Sequence, residues 1–163
     1  MTDVVAALAT ALEHYPSLSK QLLEEFYSNW NQDPQVLDKW FSLQATATAG
    51  DTIASVRELL QHPDFNLKTP NRVRSLVAVF AMANLAQFHR ADGAGYVLLA
   101  DQIEAIDSMN PQLASRLVVP LLRWRRFDES RQDLMKAQLQ RLQKMEGVSK
   151  DLGEQLGKSL KSA

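Results

Sequence analysis

TPNRVRSLVAVFAMANLA, residues 69–86, opens with a hydroxyl, a proline and an amide, then runs apolar almost without a break. Thr69 offers an acceptor to the unbonded N–H groups of a first helical turn. Pro70 fits that turn because the N–H it lacks would have no intrahelical partner there. The apolar part, 76–86, is eleven residues long and as a helix covers only ~16 Å, about half of a bilayer core. It therefore predicts no membrane span but a buried helix packed on both sides, with Ala78, Ala81 and Ala83 letting its neighbours approach closely.

The same opening stands at Asp33-Pro34-Gln35 and at Asn110-Pro111-Gln112. Six and seven residues after each proline comes a large apolar pair: Trp40-Phe41, Leu76-Val77 and Leu117-Val118. The prolines are 36 and 41 residues apart, the length of a helix–turn–helix repeat. Between them the apolar spacing is helical: Leu22, Leu23, Phe26 and Trp30; Ile53, Val56 and Leu60; Tyr96, Leu99, Ile103 and Ile106; Met135, Leu139, Leu142 and Met145. Gly50 before Asp51 and Gly147 before Ser149 read as a helix stop followed by a helix start. Ser17, Ser19 and Ser149 read as caps. No alternating strand pattern occurs. The expected fold is all-α, an α-superhelix of stacked antiparallel helix pairs of the ARM/HEAT kind, forming a single helical domain over residues 1–163.

Composition narrows the chemistry. Residues 1–65 carry three basic and nine acidic side chains, and residues 66–163 fifteen and ten. A nucleic-acid protein is basic along its contact surface, and this polarised chain does not fit one. With no cysteine, disulfides, thiolate nucleophiles and thiolate metal sites are excluded. A reduced cytoplasm is the simplest location. His14, His62 and His89 have no helical pair spacing, so no zinc-binding face is expected. Gly93-x-Gly95 lacks the third glycine and the preceding strand of a dinucleotide loop. It reads instead as a tight helix–helix turn capped by Asp92. His89 is expected at a helix C-terminus, where positive charge suits the dipole.

The arginines carry more. Arg74 and Arg116 lie in the early turns of repeat-like helices, where the helix dipole disfavours a cation. Neither has an acid three or four residues on. Such a guanidinium stays in water or meets a distant anion. Arg123, Arg125 and Arg126 flank Trp124 and Phe127 close to Asp128 and Glu129. They read as charged surroundings of an aromatic anchor.

Four long segments carry a family likeness: FYSNWNQDPQVLDKWFSLQA (26–45), LLQHPDFNLKTPNRVRSLVAVFA (59–81), FHRADGAGYVLLAD (88–101) and NPQLASRLVVPLLRWRRFDESRQDLM (110–135). In these the sequence resembles the C-terminal helical part of bacterial-type aminopeptidase N, zinc metallopeptidases with a His-Glu-x-x-His helix. The resemblance implies a C-terminal fragment of a larger multidomain enzyme that removes N-terminal residues from peptides. It implies that zinc and the catalytic groups lie upstream, since the zinc motif is absent from this sequence. The chain's own part would be non-catalytic, a wall of the substrate cavity closing over the upstream catalytic domain. Arg74, within RVRSL, and Arg116, within ASRLV, match arginines similar to contacts for the carboxylate end of a bound peptide. The expected partners are that catalytic domain and peptide substrates, with no nucleic acid and no membrane. The alternative is an independent helical-repeat scaffold for a protein partner.

Overall fold

The thirteen residues from Pro34 to Thr46 and the fourteen from Ala94 to Asp107 each make three to four helical turns, and shorter helical pieces join elements of this kind. The computed structural model describes residues 1–161, and among them there is no β-strand. The helices are α1 (Thr2–His14), α2 (Pro16–Trp30), α3 (Pro34–Thr46), α4 (Thr52–Leu59), α5 (Pro70–Val73), α6 (Val79–Ala83), α7 (Leu85–Phe88), α8 (Ala94–Asp107), α9 (Pro111–Leu117), α10 (Val119–Leu122), α11 (Glu129–Gln143) and α12 (Lys150–Lys161). A π-helical turn, Arg74–Ala78, joins α5 to α6, and a 3-10 turn, Trp124–Arg126, precedes α11.

The chain forms two compact units, Met1–Gln87 and Phe88–Ala163. In the first, α3 is the central element, packed against α1, α2, α4, α6 and the π turn. In the second, α8 packs on α9 and α11, while α12 lies against α9, α10 and α11.

The three proline starts all begin helices, and all three apolar pairs are buried, Phe41, Leu76, Val77 and Val118 completely. Their caps differ. The Asp33 carboxylate accepts from the Gln35 and Val36 amides, and the Asn110 side chain accepts from Leu113 N. Thr69 makes no such bond. Pro70 and the packing of the following turns hold that helix start without it.

Other expectations are corrected. Ser17 and Ser19 lie inside α2, whose N-cap is Tyr15. Ser149 stands at the expected start of α12, its carbonyl accepting from Gly153 N at 2.8 Å, and it also donates its amide and hydroxyl to the Asp107 carboxylate at 2.7 and 2.6 Å, tying α12 to the end of α8. Trp30 is exposed at the last turn of α2, and Leu59 takes the buried place expected of Leu60. Gly50 and Gly147 adopt positive φ, but α3 has already ended at Thr46, four residues before Gly50.

The opening stretch departs most from its reading. Leu76, Val77, Phe80 and Ala81 are buried, whereas Met82 is 51% and Leu85 58% exposed. The run is also not one helix. Buried Asn84 leaves helical geometry at φ −97°, ψ 68°. Its amide nitrogen donates to Ala45 O and Ala47 O at 3.0 and 2.7 Å, and its oxygen accepts from Gln87 N at 3.3 Å. A side chain that satisfies three backbone groups outside the preceding helix offsets the break it causes.

Candidate functional site

The segment Asn71-Arg72-Val73-Arg74-Ser75 places two arginines two residues apart, so they leave the helix on different sides. Arg72 turns inward and is 7% exposed. Its Nε donates to Asp38 Oδ1 at 2.5 Å, another of its nitrogens donates to the Asp64 carbonyl, and its guanidinium lies 5.0 Å from the Phe41 ring centre. Ser75 Oγ donates to Arg72 O at 2.8 Å, and Ser42 Oγ donates to Ser75 O at 2.9 Å, stitching this turn to α3. Tyr27 donates to the Asp64 carboxylate, which raises the phenol's pKa above its ordinary value. Nothing within a few residues of Arg72 announces this role, because Asp38 lies 34 residues upstream.

Arg74, by contrast, is exposed. Its one partner among the described residues is neutral: Nη1 donates to Asn71 Oδ1 at 2.9 Å. The residue opens the π turn, in which Val79 N reaches Arg74 O five residues back. Such wide turns often sit at functional positions, since they re-aim the side chains that follow. The guanidinium thus keeps most of its donors free for an anion.

Arg116 is exposed on α9 and makes no hydrogen bond or ion pair among the described residues. It borders a shallow cleft of about 410 Å³ between α9 and α12, shared with Asp151, Glu154 and Lys158. Two carboxylates in one cleft offset part of the positive field there. Ser115, beside Arg116, has a buried hydroxyl oxygen with no hydrogen-bond partner. Arg74 belongs to the first compact unit and Arg116 to the second.

The aromatic anchor forms around Trp124, with Arg125 among the expected charges beside it. Trp124 is buried, and its indole N–H donates to Ser159 Oγ at 3.1 Å. Arg125 stacks on that ring at 4.1 Å and donates to Ser159 O at 2.7 Å, so both residues fasten α12. Asp128, expected near these arginines, instead accepts from Arg131 N and Nη1 at 3.1 and 2.8 Å. Those bonds hold the Asp128 carboxyl below its usual range. Arg131 also donates through Nε to His89 O at 2.8 Å. The His89 ring stacks on Phe127 at 4.1 Å, with Nδ1 2.8 Å from Tyr96 Oη. His89 follows the end of α7 as expected, but burial, and then the Arg131 charge, lower its pKa and so oppose a positive charge there. Burial pushes the Tyr96 phenol up to about 12. His62 packs against Tyr27, Trp40 and Phe41 with ring centres 5.2 to 5.8 Å away. Among the described residues no three His, Asp or Glu side chains converge as metal ligands.

At Gly93-x-Gly95, Gly93 adopts φ +71° and Asp92 Oδ1 accepts from Ala94 N at 3.0 Å. A Cβ on Gly95 would stand 2.3 Å from Phe88 O. The two glycines serve the turn and a close approach, as a tight helix–helix connection requires.

Comparison with known proteins gives these features a setting. A family model described as a domain of unknown function (DUF3458_C) with ARM repeats matches residues 1–161. Aminopeptidase N of Escherichia coli (strain K12) is 44% identical over 160 residues, 98% of this chain and 18% of that protein. Aminopeptidase N of Haemophilus influenzae is 45% identical over the same shares. The crystal structure of Legionella pneumophila aminopeptidase A in complex with aspartic acid superposes with a TM-score of 0.94 at 34% identity, covering 100% of this chain and 19% of that one. The chain therefore spans under a fifth of the length of these relatives.

Proposed function

We propose, from the premise that this chain belongs to the DUF3458_C ARM-repeat family found at the C-terminus of aminopeptidase N, that it is the non-catalytic helical domain of such a peptidase. In that reading it walls the substrate cavity and presents Arg74 and Arg116 to the carboxylate end of a bound peptide. The observation that carries it is Arg74: an exposed guanidinium at a π turn, held only by a neutral amide, directly beside an arginine fully committed to the core.

Charge-assisted, bidentate recognition of a carboxylate is what a free guanidinium does well. Contacts remote from the scissile bond position the substrate and do no chemistry on it. Zinc would belong to the upstream catalytic domain, where it would polarise the substrate carbonyl and activate water. The exposed Met82 and Leu85 support a further protein surface over this face, which the upstream domain would supply. A cytoplasmic location belongs to this proposal, and the cysteine-free composition is compatible with it. No described helix is long and apolar enough to cross a membrane.

The test uses the complete enzyme. Arg74→Ala and Arg116→Ala raise KM for peptides with a free C-terminus and leave KM for aminoacyl amides, which have no carboxylate, nearly unchanged. Arg74→Ala gives the larger effect, because the acids near Arg116 already weaken that site for anions. Equal changes for both substrate classes would rule out carboxylate recognition.

A further inference from the structure

Within the first unit, a cavity of about 510 Å³ opens beside α2, α3 and α4, in the size range of pockets that hold small ligands or a peptide side chain. Neither Arg74 nor Arg116 lines it. Leu12, Leu23 and Trp40 give it an apolar side, next to buried Ser19 and Thr52, and the Trp40 indole N–H is already spent on Leu23 O at 3.0 Å. The ring edge therefore offers the cavity an apolar surface without an unmet donor.

The wall formed by 47–50 is held in place by three side chains, Glu13, Asn84 and Gln87. The Glu13 carboxylate accepts from Thr48 N and Oγ1 at 2.7 and 2.6 Å, bonds that lower its pKa. Asn84 donates to Ala47 O at 2.7 Å, and Gln87 donates to Thr48 O and Gly50 O at 3.0 and 3.2 Å. A loop so anchored is a standing wall, and a ligand need not order it on arrival.

The rim carries charge of one prevailing sign. Glu24 from α2 and Glu58 from α4 both border the cavity, against Lys20 alone. Both glutamates are exposed, and neither forms an ion pair among the described residues. They stand in the half of the chain that carries nine acids and three bases over residues 1–65, so the surrounding field adds to theirs.

We infer that this cavity binds a short extended peptide segment in which a bulky aliphatic side chain is followed by a basic one. The aliphatic group enters between Leu12, Leu23 and Trp40, and the cation sits at the rim beside Glu24 and Glu58. This site is independent of the peptide-carboxylate reading, which concerns the opposite charge and other residues.

The probe is acetyl-Leu-Arg-amide, titrated into the 15N-labelled chain. Saturable shifts are expected at the Trp40 indole N–H and at the Ala49 and Gly50 amides. Acetyl-Leu-Glu-amide binds about tenfold more weakly because it meets the same two carboxylates. Acetyl-Gly-Arg-amide gives no saturable shift, since the apolar side stays empty. The double variant Glu24→Gln/Glu58→Gln, exposed and therefore compatible with the fold, loses the preference for Arg over Glu. No saturation with acetyl-Leu-Arg-amide, saturation confined to other residues, or equal binding of the Arg and Glu peptides would each overturn the inference.

Discussion

Replacing Gly95 by alanine sets two effects of known size against each other. Gly95 is the second residue of α8 and is not in the positive-φ region, so alanine should favour the helix by up to about 1 kcal/mol. The added methyl, however, would lie 2.3 Å from Phe88 O and 2.9 Å from Phe88 C and Cα. Those are backbone atoms and cannot rotate away. Relief needs a shift of roughly 1 Å in a close-packed segment. Phe88 is fully buried, with Tyr96 and His89 ring centres 5.3 and 4.8 Å from its own, so the shift spreads into that cluster. Overpacking of this kind costs about 1–3 kcal/mol, more where backbone must move, and exceeds the helical gain. The expected net loss is about 1–3 kcal/mol, which for a chain of this length lowers Tm by about 3–10 °C. Gly153→Ala is the internal control. Its new methyl meets only Val148 Cγ1 at 3.7 Å, inside α12, and should raise Tm by about 1–3 °C through helix propensity alone. Thermal melts followed by circular dichroism at 222 nm compare the two. A Gly95→Ala protein melting at or above the parent, with Gly153→Ala behaving as stated, would refute the close approach of α8 to Phe88.

Arg72→Ala removes one partner of a largely buried ion pair and strands Asp38, which is still 23% exposed. Discounted for that exposure, the cost is about 2–4 kcal/mol in urea unfolding, whereas Arg74→Ala changes stability by less than about 0.5 kcal/mol; similar losses for both would contradict their opposite orientations. Ala81→Asp places an unpaired charge at a buried position of α6 and should cost several kcal/mol, on the order of an uncompensated buried ion; unchanged melting would remove Ala81 from the core. His89 supplies a pH dependence. Burial and Arg131 lower its folded pKa below the ordinary 6.5, so the unfolded chain takes up this proton first as pH falls. The stability it provides is complete above about pH 6.5 and declines from there toward the folded value. His89→Gln should flatten that part of a Tm-against-pH curve between pH 7.5 and 5, and an identical slope in both proteins would show that the imidazole is not held neutral.

The helical architecture was legible because it repeats a local code. Asp33-Pro34 and Asn110-Pro111 satisfy their own first turns within three residues, and the apolar spacing that follows them needs no distant partner to be recognised. The readings that failed concern groups whose partners are far away in sequence. Asn84 breaks an apolar run because carbonyls 39 and 37 residues upstream accept its amide protons. Ser149, read only as a cap, also spends its hydroxyl on Asp107, 42 residues back. Composition around either residue contains no trace of those bonds. Burial on one side only, as at Met82 and Leu85, is likewise a statement about what surrounds a helix and not about the helix's own residues.

The arginines show how the same limit applies to a site. Local rules marked Arg74 and Arg116 as cations without an acid nearby in sequence, and both stand exposed. Those rules fit Arg72 equally well, since its acid partner Asp38 comes from another helix. Absence of a local partner therefore separates two populations only after folding: guanidiniums already consumed by the core and guanidiniums left available. Arg72 is in the first group and Arg74 in the second, two residues apart on one helical rod. The core pairing of Arg72 also fixes the turn from which Arg74 projects, through the Ser75 bonds to Arg72 O and from Ser42. Loss of Arg72 should then raise peptide KM in the complete enzyme although Arg72 touches no ligand, and Arg72→Lys should restore fold stability more fully than it restores KM, because an ammonium can pair with Asp38 but cannot reproduce the planar fork that holds both Asp38 and the Asp64 carbonyl.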